Sequence, residues 1–171
     1  GFGYVLTAKH VAVGVPGRHL VCLFPRSRRF AYSAPTVDLG PKQIDLALLT
    51  VDAPQDIAPR PIAWRTPVEG EKLWQSGFGN SKSGQREWWS RVAPRVSLTE
   101  NGDRIEFVGK SLLLLDQPST QGDSGGPVID TSGRVIAITS ATDATQGYHV
   151  TVGDQQWLRD ILPENSILVQ R

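Results

Sequence analysis

Gln121-Gly122-Asp123-Ser124-Gly125-Gly126-Pro127-Val128 sets one serine between glycines and runs straight into an apolar segment. From average residue usage, a Gly-Asp-Ser-Gly-Gly-Pro string arises by accident in roughly one chain of this length in 10⁵. Glycines take backbone geometries closed to other residues, so the N–H groups of Gly122 and Ser124 can converge on one point. Such a point holds an oxyanion, and the pattern suits nucleophilic acyl transfer. The plainer reading is a glycine-rich turn between two strands with an exposed serine.

A serine hydroxyl is unreactive at neutral pH unless a base takes its proton. The chain offers three histidines, His10, His19 and His149. His10 is the best placed, because Tyr4-Val5-Leu6-Thr7-Ala8-Lys9-His10 reads as a strand running into a small-residue turn, which presents a side chain at a barrel rim. An imidazole base needs a carboxylate to hold its tautomer and stabilise the imidazolium. Asp45 suits that role: it stands in Gln43-Ile44-Asp45-Leu46-Ala47-Leu48-Leu49, where an acid beside an apolar strand is costly to bury unless paired. Asp38, Asp52 and Asp56 lie in loop-like sequence and read as surface charges. His19, after Pro16-Gly17, reads as a loop residue.

Around these motifs, short apolar runs broken by Gly, Pro, Asn and Ser recur along almost the whole chain, the pattern of an all-β sandwich or barrel. Strands are expected over 4–7, 20–24, 44–51, 72–76, 88–98, 104–107, 111–115, 127–130, 135–140 and 148–152. Asn101-Gly102 and Thr131-Ser132-Gly133 carry hairpin-turn chemistry. One helix is expected over 155–162, capped by Asp154, stopped by Pro163, and apolar through Trp157, Leu158, Ile161 and Leu162. Four prolines between Asp52 and Pro67 mark a connector, dividing an N-terminal unit (1–60) from a C-terminal one (61–171). In Trp88-Trp89, strand alternation puts one ring on each face.

The 171 residues suit one domain or a compact pair of subdomains, 39% are hydrophobic, and the formal net charge is +1. Disordered tails and nucleic-acid-coating proteins are thereby excluded. No apolar run is long enough for a membrane span. Cys22 is the single cysteine, so no intramolecular disulfide forms, and the compartment stays open: cytoplasmic, periplasmic, secreted bacterial and virus-encoded all fit. Arg26-Ser27-Arg28-Arg29 is the one basic cluster and reads as a solvated loop.

With a serine, a histidine and an aspartate in these settings, the chain resembles a chymotrypsin-fold, trypsin-like serine protease. Val5-Leu6-Thr7-Ala8-Lys9-His10 is similar to that family's Leu-Thr-Ala-Ala-His motif, Ile44-Asp45-Leu46-Ala47-Leu48-Leu49 to its Asp-Ile-Ala-Leu-Leu motif, and the serine motif matches fully. His10, Asp45 and Ser124 follow in the family's order, 35 and 79 positions apart. Weaker likeness extends through residues 70–79 and Gln156-Trp157-Leu158. The resemblance implies two antiparallel Greek-key β-barrels with a C-terminal helix. Because the sequence starts nine residues ahead of His10, the first barrel is expected to be incomplete at its N-terminus and to need an upstream segment or a partner. The absence of cysteines around His10 and the pocket resembles bacterial or viral members. Asp123 occupies the position that, in zymogen-type members, pairs with a newly cut N-terminus.

The implied activity is a serine endopeptidase acting through an acyl-enzyme. His10, Asp45 and Ser124 are the triad, Gly122 and Ser124 supply the oxyanion amides, and neither metal nor organic cofactor is required. The resemblance places the substrate pocket at Pro118, Ser119, Thr120 and Gln121, the segment 138–142, and the strand after Gly147. Pro118 takes the position where trypsin-like enzymes carry an aspartate, which disfavours Lys or Arg at the cleaved bond unless Asp116 or Asp143 swings in. Ser140, Ala141 and Thr142 form a rail on which a polypeptide substrate pairs as an added strand. His149 either points into the pocket, where it would donate to a Glu or Gln side chain, or is a hydrogen-bonded strand histidine. Two further readings stay open: a narrow processing protease for Glu or Gln, and a catalytically latent binding module on the same fold.

Overall fold

The computed structural model of the chain describes residues 2–13, 20–23, 31–34, 36–52, 56–79, 84–94, 98–100, 103–105 and 111–162. His19, the basic cluster at 26–29, the turn residues Asn101 and Gly102, and Pro163 lie outside them. The architecture is all-β, with curled antiparallel sheets and a short C-terminal helix.

In the N-terminal half, β1 (Phe2–Thr7) lies antiparallel to β5 (Ala47–Asp52), which in turn pairs with β4 (Thr36–Leu39). A separate hairpin joins β2 (Leu20–Leu23) to β3 (Ala31–Ala34). The alternation of Val5, Leu49 and Val51 drives this half, for these side chains gather with Val37, Ala12 and Cys22 in one apolar cluster. β1 ends in a single helical turn, α1 (Lys9–Ala12), where a small-residue turn was expected, because Val11 N and Ala12 N both close back on the Ala8 carbonyl.

The C-terminal half is a six-stranded sheet in the order β10 (Leu112–Leu115), β13 (Gly147–Thr151), β12 (Val135–Thr142), β11 (Pro127–Ile129), β6 (Lys72–Gly77), β7 (Arg86–Arg91). An antiparallel bridge from Val92 to Leu115 joins the two ends of that order and curls the sheet into a barrel. Its interior is apolar: Leu73, Leu115, Val128, Ile136 and Ala137 are buried together. A further hairpin, β8 (Leu98–Glu100) with β9 (Asp103–Ile105), flanks positions 101–102. Gly133, at φ +80°, turns the chain between β11 and β12, as glycine at that place suggests.

Several boundaries differ from the sequence reading. The expected 88–98 strand is β7 and, separately, β8, since Val92 and Ala93 leave β7 to meet β10. The strand expected from 44 begins at Ala47, with Ile44 and Asp45 in the approach to it. β3 and β4, which carry no strong apolar alternation, are not among the expected strands, and Asp38 stands in β4 rather than in a loop. Asp154 does not cap the helix α2 (Gln156–Ile161): its N-cap is Gln155 without a side-chain bond, and Asp154 accepts from Ser111 and Thr151 instead. Of the helix's expected apolar face, Leu158 and Leu162 are buried but Ile161 is 36% exposed.

The two halves share a core. Leu46, Leu48 and Ala8 pack with Ile138, Val150, Val152, Leu158 and Leu162. Trp157 of α2 lies against Gly40, where an added Cβ would meet its ring at 3.0 Å, so the C-terminal helix braces the turn leading to Asp45. Each fully buried Leu or Ile in this core contributes roughly 1.5–3 kcal/mol.

Candidate active site

Four segments meet where the halves join. α1 carries His10, the approach to β5 carries Asp45, the turn before β11 carries Ser124, and β12 carries Ser140. Asp45 is the hub. Its Oδ2 lies 2.7 Å from His10 Nδ1 and accepts from Ser140 Oγ at 2.5 Å, while Oδ1 accepts from the His10 backbone N–H at 2.9 Å. Burial alone would raise the Asp45 carboxyl; the hydrogen bonds from Ser140 and His10 outweigh it and hold the group below the ordinary carboxylate value. With Nδ1 committed to a carboxylate, the ring's Nε2 is the atom left to take a proton.

Ser124 comes to the same place through Ser140. Its Oγ donates to the Ser140 carbonyl at 3.2 Å rather than to His10. Gly122 takes φ +96° and Gly125 φ +84°, conformations that side chains other than glycine rarely adopt. At Gly125 a Cβ would collide with Thr7 Oγ1, so the serine turn is pressed against the strand that leads to His10. The amides of Gly125 and Gly126 donate to Thr139 and Asp123 carbonyls, whereas, among the described residues, those of Gly122 and Ser124 donate to none. Two amides that donate to no described residue thus stand beside a serine hydroxyl, a corner able to receive an anion.

Asp123, only 1% exposed, sits under that corner. It accepts from Gly79 N at 2.7 Å, Thr120 N at 2.8 Å, Thr120 Oγ1 at 3.1 Å, and the Arg86 guanidinium. Burial pushes its carboxyl up, but the Arg86 and backbone hydrogen bonds prevail and hold it below the ordinary value. A Cβ at Gly77 or Gly79 would collide with this carboxylate. Arg86 lies opposite Gly77 in the β6–β7 ladder and stacks on Trp88. Thus the acid next to the serine has an internal cation as its partner. Nothing in the spacing of Arg86 from Ser124 pointed to it; only the register of the β6–β7 hairpin brings it there.

Of the residues expected to wall the substrate pocket, Pro118 and Gln121 stand beside the Ser124 turn, Gln121 exposed. Ser119 is 4% exposed and donates to the Ala141 carbonyl at 3.3 Å, spanning the two walls. Thr120 turns its hydroxyl to Asp123 and Arg86 rather than to a pocket. Ser140 supports Asp45 by its side chain and faces Ser124 by its carbonyl, and Ala141 and Thr142 are exposed along the end of β12. Asp143 accepts from Thr145, Gln146 and Tyr148, whose hydroxyl bond leads the interactions that lower it to about 2; Asp116 accepts from Arg91 N. Both carboxylates are engaged elsewhere. His149 is wholly buried in β13, its Nδ1 3.2 Å from Thr139 Oγ1.

Trp89 is 42% exposed and meets Trp74 edge-on, while Trp88 faces Gln75 on the other side of the ladder. The outward pair borders a recess of about 360 Å³ with Glu87, Ile129 and Arg60, apart from the residues above. Among the described residues no cluster of His, Cys, Asp and Glu could hold a metal ion, and no helix is long and apolar enough to cross a membrane.

Residues 1–138 match the model of a family described as trypsin-like peptidase domain. Among solved structures the chain is similar to a protease from M. tuberculosis, Rv3671c: in its active form at 24% identity and a TM-score of 0.69, and as an inactive serine-to-alanine mutant at 23% and 0.66. It is also similar to the HtrA-type protease AlgW with a decapeptide, at 20% identity and a TM-score of 0.66. Each likeness covers 88% of this chain but 65%, 72% and 45% of the other chains respectively. No curated protein matches it in sequence.

Proposed function

The chain belongs to the trypsin-like peptidase domain family, hydrolases of the serine type, and on that premise we propose that it cleaves polypeptides through Ser124, His10 and Asp45. The observation that carries this reading is the linked set of hydrogen bonds from His10 through Asp45 and Ser140 to Ser124, beside the amides of Gly122 and Ser124, which donate to no described residue. The residues divide as the proline-rich connector suggests, with 1–60 supplying His10 and Asp45 and 61–171 supplying Ser124 and the substrate-binding strand.

An extended peptide pairs with Ser140, Ala141 and Thr142 as an added strand. Its N–H takes over the Ser140 carbonyl, which releases the Ser124 hydroxyl to turn toward His10. His10 Nε2 accepts the hydroxyl proton as Oγ bonds to the scissile carbon, and the carbonyl electron pair moves onto oxygen, facing the Gly122 and Ser124 amides. Collapse of the tetrahedral adduct breaks the C–N bond, the leaving nitrogen taking the proton from His10. Water then repeats the sequence on the Ser124 ester and restores the enzyme. Asp45 keeps its charge throughout and orients the ring.

Labelling by a fluorophosphonate, compared between the parent, Ser124→Ala and His10→Ala, tests the assignment. Reaction confined to the parent is expected. A well-folded parent that never labels would replace this reading by the latent binding module. Narrow specificity for Glu or Gln is a second reading, resting on His149, which pairs in β13 with Thr139, the residue that holds the Gly125 and Gly126 backbone.

A further inference from the structure

Among the described residues, α1 and the turn that leads to Asp45 meet through three hydrogen bonds. Two of them use the Asp45 side chain: Oδ1 accepts from His10 N at 2.9 Å, and Oδ2 lies 2.7 Å from His10 Nδ1. The third does not. Lys9 Nζ donates at 2.5 Å to the carbonyl of Pro41, 32 positions along the chain. That same carbonyl accepts from Ile44 N at 2.9 Å and closes the turn 41–44, after which Asp45 is the next residue. On its far side the turn is tied by Gly40 N, which donates to the Leu46 carbonyl at 2.9 Å, and by the contact of Gly40 with Trp157. Lys9 stands where the Leu-Thr-Ala-Ala-His motif has its second alanine.

Packing does not set the place of α1. None of its four residues is buried, Ala12 reaching the Leu49 and Val51 cluster only in part, and the His10 side chain is 50% exposed. Hydrogen bonds must therefore do it. Bonds that end on the Asp45 carboxylate act as a hinge, because the side chain can follow His10 while the turn beneath it moves; the bond from Ser140 also ends there. A bond from the residue next to His10 to the turn's backbone removes that freedom. The proline ring locks φ at Pro41, which steadies the acceptor, and a carbonyl oxygen has a lone pair for each of the two donors it receives. Because the donor is an ammonium, this bond is charge-assisted and stronger than a neutral one.

We propose that Lys9 is a positioning residue: by tying α1 to the Pro41 carbonyl it fixes the backbone of the Asp45 turn, and so sets the separation of His10 Nδ1 and Asp45 Oδ2 on which the orientation of the ring depends. Lys9 neither touches substrate nor moves a proton. An alanine at this place would leave the second lone pair of the Pro41 carbonyl to solvent and the turn held to α1 through the Asp45 side chain alone. The inference rests on the peptidase reading above and adds a residue to its machinery.

Lys9→Met keeps the stem and removes the donor. On a peptide aminocoumarin its kcat is expected to fall about tenfold, the worth of one hydrogen bond from a charged group, with KM within about twofold of the parent. Lys9→Arg keeps a cationic donor at similar reach and should recover most of the loss. The difference should persist at about 1 M salt, where through-space charge is screened. Imidazole proton NMR of Ser124→Ala follows the Nδ1–H of His10 without turnover: adding Lys9→Met should shift or broaden that resonance, and adding Lys9→Arg instead should leave it near its place. A Lys9→Met protein with the parent's kcat, or with the resonance unmoved, overturns the inference, as does a loss confined to low salt or one that Lys9→Arg fails to recover. Should the parent neither label with fluorophosphonate nor turn over, the peptidase reading fails, and the NMR comparison still decides whether Lys9 sets the contact of His10 with Asp45.

Discussion

Arg86→Met removes the charge that faces Asp123 while keeping most of the side chain's length. In the parent the Asp123 side chain is fully buried and that of Arg86 is 36% exposed. Deleting one partner of a fully buried ion pair costs about 3–5 kcal/mol, so with Arg86 partly in solvent a loss of about 2–3 kcal/mol is expected. Gly79 N, Thr120 N and Thr120 Oγ1 remain as donors, and they do not neutralise the charge. The cheapest relief is for the carboxylate to turn outward, and Asp123 cannot do so without dragging Gly122 and Ser124 with it. Losing one oxyanion amide lowers turnover about 10²–10³-fold, so kcat should fall at least 100-fold. Turnover on a peptide aminocoumarin, fluorophosphonate labelling rate and thermal unfolding would be read together. Arg86→Lys should recover part of the loss, since a point charge replaces a planar one. A variant that unfolds at lower temperature yet turns over within threefold of the parent below its transition would show that the pair supports the fold without shaping the turn.

Three further outcomes follow from the same contacts. His149, with a folded value of about 3 against an ordinary 6.5, stays neutral in the native state while the unfolded chain protonates it, so stability should fall as pH drops below 6.5. The slope is about 1.4 kcal/mol per pH unit, or about 2 kcal/mol lost by pH 5. Asp45, Asp123 and Asp130 are depressed, so their contribution is present above the ordinary carboxylate value and is lost only as pH falls through their folded values; denaturant midpoints between pH 6.5 and 5 therefore isolate His149, and His149→Phe should flatten them. Ser140→Ala removes one of two donors on Asp45 Oδ2 and should lower kcat about tenfold, an effect of about 1.5 kcal/mol from a hydrogen bond to a charged group, with KM nearly unchanged. Gly40→Ala forces a methyl against the Trp157 ring and the Leu46 carbonyl, both at 3.0 Å, and should cost about 1–3 kcal/mol and reduce kcat by loosening Asp45; unchanged kinetics would detach the C-terminal helix from the site.

What the sequence could and could not disclose follows from how far each interaction reaches along the chain. Ser124, its glycines and the acid at Asp123 are legible because a nucleophile turn is local: its backbone conformation depends on residues within a few positions. His10 and Asp45 are legible for a similar reason, each marking the end or the edge of a strong apolar strand. β3 and β4 escape because they are short and lack apolar alternation, so only pairing with β2 and β5 makes them strands. Asp154 misleads because an acid ahead of a helix has two uses, and the side chains of Ser111 and Thr151 compete successfully with the helix amides. Arg86 and Thr139 are the instructive pair. Neither stands in a motif, yet one pairs with the acid beneath the serine turn and the other lies 3.2 Å from the buried His149 ring. Both are fixed by strand register, Arg86 opposite Gly77 and Thr139 opposite His149, and a shift of one residue would turn each side chain to the opposite face of the sheet. Thus the motifs that bring Ser124, His10 and Asp45 together are local enough to be read along the chain, while the contacts that support them depend on the pairing of strands.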